Sequence, residues 1–484
     1  MSEKQPSLQK NFILSTLYEI LCVIAPFITA PYAARVLGPA NTGIYSYTHS
    51  YVMYFTLIAS LGTAQYGKRE ISRTRDDRKL CSKLFWEIEL LSIVTSCVAL
   101  LGWGIFVFFA TQYKLYFIIL TLFILAKMFD ITWFFTGQEQ FKYTVTRNTI
   151  VKITGIVCLY TFVKTPEDLW IYFLFHAGVD FLGSLSMWIS LPRFLVPVDR
   201  KTLTIRPHFK ETLVYFIPTV ATSIYTILDK TLIGLITHEE TENGFYEQAT
   251  KIIHVVRAFA FSAVNSVLGA RTSYLFEQKK TDEIKDKIHN SIDFILFMSI
   301  GCCLGLVGIA SNFVPLFYGP GYEPVILIMQ LLSPILIITG ISTNLNDLYF
   351  TPGGYKKKSA IYVITGAITN LICNLLFIPR LNALGAVIGT LIAESVIMLL
   401  YLFNCNRFLT VRHILQAAWK KIIAGLVMLL FLCVVKRQIH NALLLLLVQI
   451  GGGASLYICV LLLLKDKLPY TLISKIMLKL KKKK

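Results

Sequence analysis

The chain has 484 residues, of which 55% are hydrophobic and only 15% charged, and it carries a formal net charge of +19. A mean hydropathy of +0.61 leaves too little polar surface to cover a water-soluble domain, so the solvent for most of the chain is lipid. The positive charge is not the footprint of a nucleic-acid binder, because it sits in short gaps between apolar stretches and in a tail, with no exposed module for base readout.

An eleven-residue polar start leads into an apolar stretch over 12–34, too long for the h-region of a signal peptide and therefore expected to be a retained first span. Further stretches follow at about 41–63, 84–110, 116–136, 148–163, 169–191, 213–237, 245–270, 291–317, 324–350, 359–378, 384–404, 418–436 and 442–464. Most are near the length of a membrane-crossing helix and none alternates with the two-residue period of a barrel strand, so the chain reads as an all-α polytopic membrane protein of about 14 transmembrane helices. Lysine and arginine crowd into every second gap. The largest basic loops are Ala64–Lys83, with Lys68, Arg69, Arg73, Arg75, Arg78, Lys79 and Lys83, and Pro192–Thr212. Basic residues in short loops stay cytoplasmic, which places both termini of this multi-pass membrane protein in the cytoplasm. The Lys479–Lys484 tail is expected to rest on anionic lipid of the inner leaflet.

Asn41-Thr42-Gly43-Ile44-Tyr45 after the first span is echoed by Glu242-Asn243-Gly244-Phe245-Tyr246 after the seventh, and Pro26 and Pro218 fall within the first helix of each half. The echo predicts two six-helix lobes in parallel orientation, 1–212 and 213–410, followed by two extra helices and the basic tail over 411–484. Ten cysteines lie mostly inside apolar stretches, among them Cys22, Cys97, Cys158, Cys302 and Cys303, without metal-ligand spacings; no metal site or other cofactor is expected.

Ionisable side chains inside the spans narrow the function. Each costs roughly 2.5 to 3.5 kcal/mol at mid-bilayer, so each faces protein, water or a partner. On span seven Thr219, Thr222, Ser223, Thr226 and Lys230 form a stripe with Asp229 at its edge; on span eight Glu247, Lys251, His254, Ser262 and Asn265 form a second, with Arg257 to one side. Asp229 with Lys230, and Glu247 with Lys251, make neutral pairs that simply join two helices. The set as a whole has more cations than acids, a surplus suited to an anion such as phosphate. Span one offers Ser15, Glu19, Cys22 and Thr29, and span two Tyr45, Tyr47, Tyr51 and Tyr54, of which Tyr51 and Tyr54 lie deepest and have rings on which sugars stack. Lys127 with Asp130, and His176 with Asp180, are one turn apart and read as mutual pairs, whereas Glu394 has no nearby cation on its own helix. Asp229, Glu247, Asp180, Glu19 and Glu394 are the candidates for ion coupling or charge pairing. There is no Walker loop, HExxH or nucleophile elbow, so the chain does not read as an enzyme and any pumping draws on a gradient.

Several segments carry a family likeness. Ala34-Arg35-Val36-Leu37-Gly38-Pro39 followed by Gly43-Ile44-Tyr45 resembles the first-loop signature of Wzx-type polysaccharide flippases. Tyr66-Gly67-Lys68-Arg69-Glu70-Ile71, Asp130 through Glu139, Leu228-Asp229-Lys230-Thr231-Leu232-Ile233-Gly234, and Pro379 through Gly389 with Glu394 are similar to that family's motifs in order and place. The resemblance implies two lobes around a central cavity lined by spans one, two, seven and eight, and membership of the superfamily that also holds multidrug extruders and the lipid II flippase. It implies as substrate an undecaprenyl-pyrophosphate-linked oligosaccharide for capsule or exopolysaccharide assembly, with polysaccharide polymerase and assembly proteins as further partners; from their charge and rings, Lys230, Lys251, Arg257, His254, Arg35, Tyr51 and Tyr54 are the residues expected to bind it. It also implies a groove for the polyprenyl tail at spans thirteen and fourteen. The alternatives are a multidrug or metabolite extruder, which would favour an acid-rich cavity, and a membrane-embedded glycosyltransferase or polymerase, which would need a larger outer domain bearing carboxylates.

Overall fold

The computed structural model describes residues 8–406 and 408–470, with side chains outside that description at 8–17, 19–20, 23, 217–219, 221–222, 224–225 and 262–271. Among the described residues the chain is helical and contains no strand, as lipid demands of a backbone that has no water to bind. The first two apolar stretches form one element, α1 (Leu8–Ser60), broken at Gly38, whose φ of 77° suits glycine and whose partner Pro39 cannot donate to the preceding turn. There follow α2 (Thr63–Thr74), α3 (Arg78–Phe109), α4 (Lys114–Met128), α5 (Thr132–Gly137), α6 (Phe141–Phe162), α7 (Leu169–Trp188), α8 (Arg206–Thr237) and α9 (Glu240–Glu277). Then come α10 (Thr281–Tyr318), α11 (Pro324–Leu332), α12 (Ile335–Leu345), a π-helical turn at Asn346–Phe350, α13 (Lys356–Leu381), α14 (Ala383–Phe403), α15 (Val411–Gln438) and α16 (Ala442–Leu463). All fourteen predicted stretches are helical, and among the described residues nine helical segments are long and apolar enough to cross a membrane.

Backbone packing divides the chain into two units, residues 1–244 and 245–484. In the first, α1 packs on α3, α4, α6 and α8, while α2 lies against α3, α5 and α8. One core joins Leu37, Val52, Trp103, Phe117 and Phe173; a second, nearer the basic loops, joins Tyr66, Phe85, Trp133, Phe134 and Phe135. Val98, Leu101, Ile105 and Phe108, a single stripe of α3, stay exposed, an apolar face whose solvent is acyl chain rather than water. The two echoed motifs meet here. Gly43 sits so close to the chain at Glu240 that a Cβ would lie 1.7 Å from that residue's carbonyl oxygen, and a Cβ on Gly244 would lie 2.2 Å from the carbonyl oxygen of Pro39.

In the second unit α10 is the central helix, flanked by α11, α12, α15 and α16, and α13 and α14 form a tight hairpin. Its core runs from Ile284, Ile292 and Leu296 to Phe350 and Tyr401. The two extra helices are attached by charge as well as by shape. Lys421 of α15 is fully buried and its Nζ donates to Asp293 Oδ1 at 2.6 Å, to Asp466 Oδ2 at 3.1 Å and to the Ala417 carbonyl at 2.8 Å. It therefore ties α15 both to α10 and to the segment that follows α16.

Removing one partner of a buried ion pair leaves the others uncompensated and costs on the order of 3 to 5 kcal/mol. Lys421→Met is expected to lower the melting temperature in detergent, read by fluorescence-detected size exclusion, and adding Asp293→Asn and Asp466→Asn should restore most of the loss. An unchanged melting temperature for Lys421→Met would show that the triad does not hold α15 in place.

Candidate functional site

The tyrosine-bearing half of α1 and the middle of α8 supply one polar face of the first unit. Ser50 Oγ lies 2.8 Å and Tyr54 Oη 3.0 Å from Thr231 Oγ1, so hydroxyl groups lock the two helices together. Asp229, nearly buried, acts electrostatically on Tyr54, and the carbonyl of Lys230 accepts from Asn243 Nδ2 at 2.8 Å. Tyr51 faces a different way: its hydroxyl is 2.9 Å from that of Tyr47, and its ring stacks on Phe106 and meets Phe117 edge-on. Of the two deep tyrosines, Tyr54 therefore shares its surroundings with Asp229, while Tyr51 is held in an aromatic cluster. Arg35 is exposed near the Gly38 break.

Elsewhere in this unit Lys127 and Asp130 pair at 3.5 Å, as their spacing predicts. Asp180 meets Arg147 of α6 at 3.3 Å, and Arg147 also donates to Ser184; His176 packs against Tyr45 and Tyr172. The side chain of Glu19 lies outside the described residues, as do those of Thr219, Thr222, Ser262 and Asn265 and the lysine tail.

In the second unit Lys251 Nζ lies 3.3 Å from Glu247 Oε1 on the same helix. His254 is exposed and Arg257 half-buried. Arg257 acts electrostatically on Asp347 in the π-helical turn. Glu394 of α14 is 6% exposed and acts, with Asp347, on Tyr401, whose hydroxyl is 2.7 Å from Ser359 Oγ. Nearby polar pairs are Asn374 with Asn370 at 3.1 Å and Tyr246 with Thr390 at 3.4 Å.

A network at the basic-loop end escapes sequence reading altogether. Glu87 Oε1 accepts from the Thr204 backbone N–H at 2.8 Å and from its hydroxyl at 3.1 Å, while Oε2 lies 3.0 Å from His208 Nε2. His208 Nδ1 is in turn 2.7 Å from the Tyr66 hydroxyl. The consecutive helices α2 and α3 are thereby stitched to the distant start of α8. The available signal was a pair of glutamates, Glu87 and Glu89, in an otherwise apolar run.

The profile of a family described as polysaccharide biosynthesis protein matches residues 8–268. The chain belongs to that family. Two relatives carry the name "Putative O-antigen transporter". The one from Escherichia coli strain K12 is 21% identical over 421 residues, covering 84% of this chain and 99% of its own length. The one from Shigella dysenteriae is 24% identical over 402 residues, covering 82% and 99%. Among solved structures, the lipid II flippase MurJ in an inward closed conformation superposes with a TM-score of 0.72 at 16% identity, over 94% of this chain and 99% of that one. An inward-facing multidrug resistance transporter of the MATE family and MOP superfamily gives 0.61 at 13%, over 86% and 95%. At such identities the likeness to solved structures is one of fold, and it places this family member among polytopic helical membrane proteins.

The Glu87–His208–Tyr66 network lies partly on α2, outside the apolar spans, and there burial, reinforced by Glu70 and Glu211, pushes the Tyr66 phenol up to about 12. The unfolded value is about 10, so the folded state retains the proton longer. This contribution to stability is intact below about pH 10 and is lost as the pH rises through 12. Melting temperatures taken across that window should fall more steeply for the parent protein than for Tyr66→Phe, which has no phenol to ionise. Parallel curves would remove Tyr66 as the titrating group.

Proposed function

We propose that this protein is a flippase that carries undecaprenyl-pyrophosphate-linked oligosaccharide repeat units from the inner to the outer leaflet of the bacterial cytoplasmic membrane, for capsule, exopolysaccharide or other cell-surface polysaccharide. Membership of the polysaccharide biosynthesis family over residues 8–268 is the observation that carries this reading. The local chemistry is consistent with it. Lys230, Lys251, Arg257 and His254 offer charge-assisted donors for a pyrophosphate, and Tyr54 and Tyr51 offer rings and hydroxyls for sugar. The glycan is too polar to cross hydrocarbon uncovered, and a standing pore of its width would leak ions. Alternating access, with the lipid tail left in the bilayer, meets both requirements. In this reading fourteen helices cross the membrane, both termini are cytoplasmic, and the lysine tail contacts anionic lipid.

A multidrug extruder of the same fold is the competing assignment, favoured by the acids Asp347 and Glu394 in the second unit. The nature of the cargo separates the two. Deletion of the gene in its host is expected to cause accumulation of a lipid-linked oligosaccharide, identified by mass spectrometry of the membrane lipids. Accumulation of no such lipid, with raised sensitivity to cationic drugs, would favour the extruder. Loss of one charge-assisted contact weakens binding by roughly 1.5 to 3 kcal/mol, about ten- to a hundred-fold in affinity. The Lys230→Ala, Lys251→Ala, Arg257→Ala triple variant, expressed at the parent level and folded, should export no glycan. Normal export by that variant would remove these residues from the site.

A further inference from the structure

Two glutamates of α3, two residues apart, have opposite fates. Glu87 is satisfied by Thr204 and His208, with Lys83 3.8 Å from it. Glu89 is 0% exposed, and among the described residues neither of its carboxyl oxygens has a hydrogen-bond partner. It follows Phe85 by one helical turn, and Phe85 stacks on Trp133 in the apolar cluster at the basic-loop end of the unit.

The elements packed against α3 are α1, α2, α4 and α8, and several charged groups of this unit have partners of their own. On α2, Glu70 lies 3.8 Å from Arg69 and 3.5 Å from Arg73. On α8, His208 is bound by Glu87 and Tyr66. On α4, Lys127 pairs with Asp130, and on α6, Arg147 is held by Asp180 and Ser184. Asp130 is the group that acts on Glu89, and as a carboxylate it repels rather than neutralises. An ionised Glu89 would carry an uncompensated desolvation penalty of several kcal/mol and face that repulsion as well. The neutral acid avoids both.

The surroundings also contain a joint. The fourth span is interrupted, with α4 ending at Met128 and α5 starting at Thr132. Asp130 sits in the break, where its Oδ1 accepts from the Thr132 N–H at 3.1 Å and from its hydroxyl at 2.6 Å. A change of backbone at this joint would alter the charge of Asp130 that Glu89 senses.

We propose that Glu89 is a proton-binding site of the first unit, loaded in the conformation described here and unloaded when the α4–α5 joint opens, so that transport is driven by a proton gradient. Unloading breaks the carboxyl O–H bond and passes the proton to water, leaving a carboxylate; loading is the reverse. The coupling rests on the transport function proposed above, whereas the proton site does not.

The full chain, purified and reconstituted in liposomes, allows the two to be tested apart. Infrared difference spectra between acidic and alkaline buffer are expected to show the carbonyl band of a buried protonated carboxyl that disappears in Glu89→Gln and persists in Glu70→Gln. Dicyclohexylcarbodiimide, which reacts with protonated carboxyls in apolar surroundings, should label the peptide containing Glu89 in the unmutated protein, and more strongly as pH falls. Superimposable spectra for parent and Glu89→Gln, or an unlabelled peptide, would overturn the site. In the same liposomes, translocation of lipid-linked oligosaccharide should respond to an imposed pH gradient in the parent, in part in Glu89→Asp, and not in Glu89→Gln. An undiminished response in Glu89→Gln would overturn the coupling. If neither protein moves the lipid while the infrared band is present, the proton site stands and the cargo assignment fails.

Discussion

A peptide group in hydrocarbon has no water to bind, and every feature of this fold follows from that deprivation. Backbone donors and acceptors must be satisfied within the chain, which makes each apolar stretch a helix and confines the exceptions to places where protein surrounds them. The gap between α4 and α5 and the π-helical turn at Asn346–Phe350 are such exceptions. Both carry a polar side chain that another group senses: Asp130 in the gap, sensed by Glu89, and Asp347 in the turn, sensed by Tyr401. Irregular backbone and intramembrane charge occur together because both need the same shelter.

The same deprivation governs side chains, and the protein meets it in three ways. Lys421 is held by two carboxylates and a carbonyl, a closed arrangement that joins helices. Glu87 is held by neutral donors and an imidazole, an arrangement that joins the basic-loop segments to α3. Glu89 has no hydrogen-bond partner among the described residues. Since a burden of this kind is not retained for packing alone, the contrast between neighbouring glutamates separates a structural group from one with chemistry to perform.

What could be read from the chain was whatever is local. Helical stretches come from runs of apolar residues, and the pairs Lys127–Asp130 and Glu247–Lys251 come from spacings of three and four, so both were accessible without coordinates. The partners that were missed arrive from segments distant in sequence: Arg147 for Asp180, His208 for Glu87, and Asp293 with Asp466 for Lys421. The aromatic assignments divided for the same reason. Tyr51 and Tyr54 look alike along α1, yet one turns to Phe106 and the other to Thr231.

The contact between the two glycine motifs has a meaning for how such a chain can change. Gly43 is pressed on the backbone at Glu240 and Gly244 on the backbone at Pro39, so the empty space where each lacks a side chain is filled by the other motif's main chain. Main chain cannot be trimmed by substitution. A methyl group gained at either position therefore has no compensating replacement at the other, and the two short segments constrain one another through atoms that no substitution can remove.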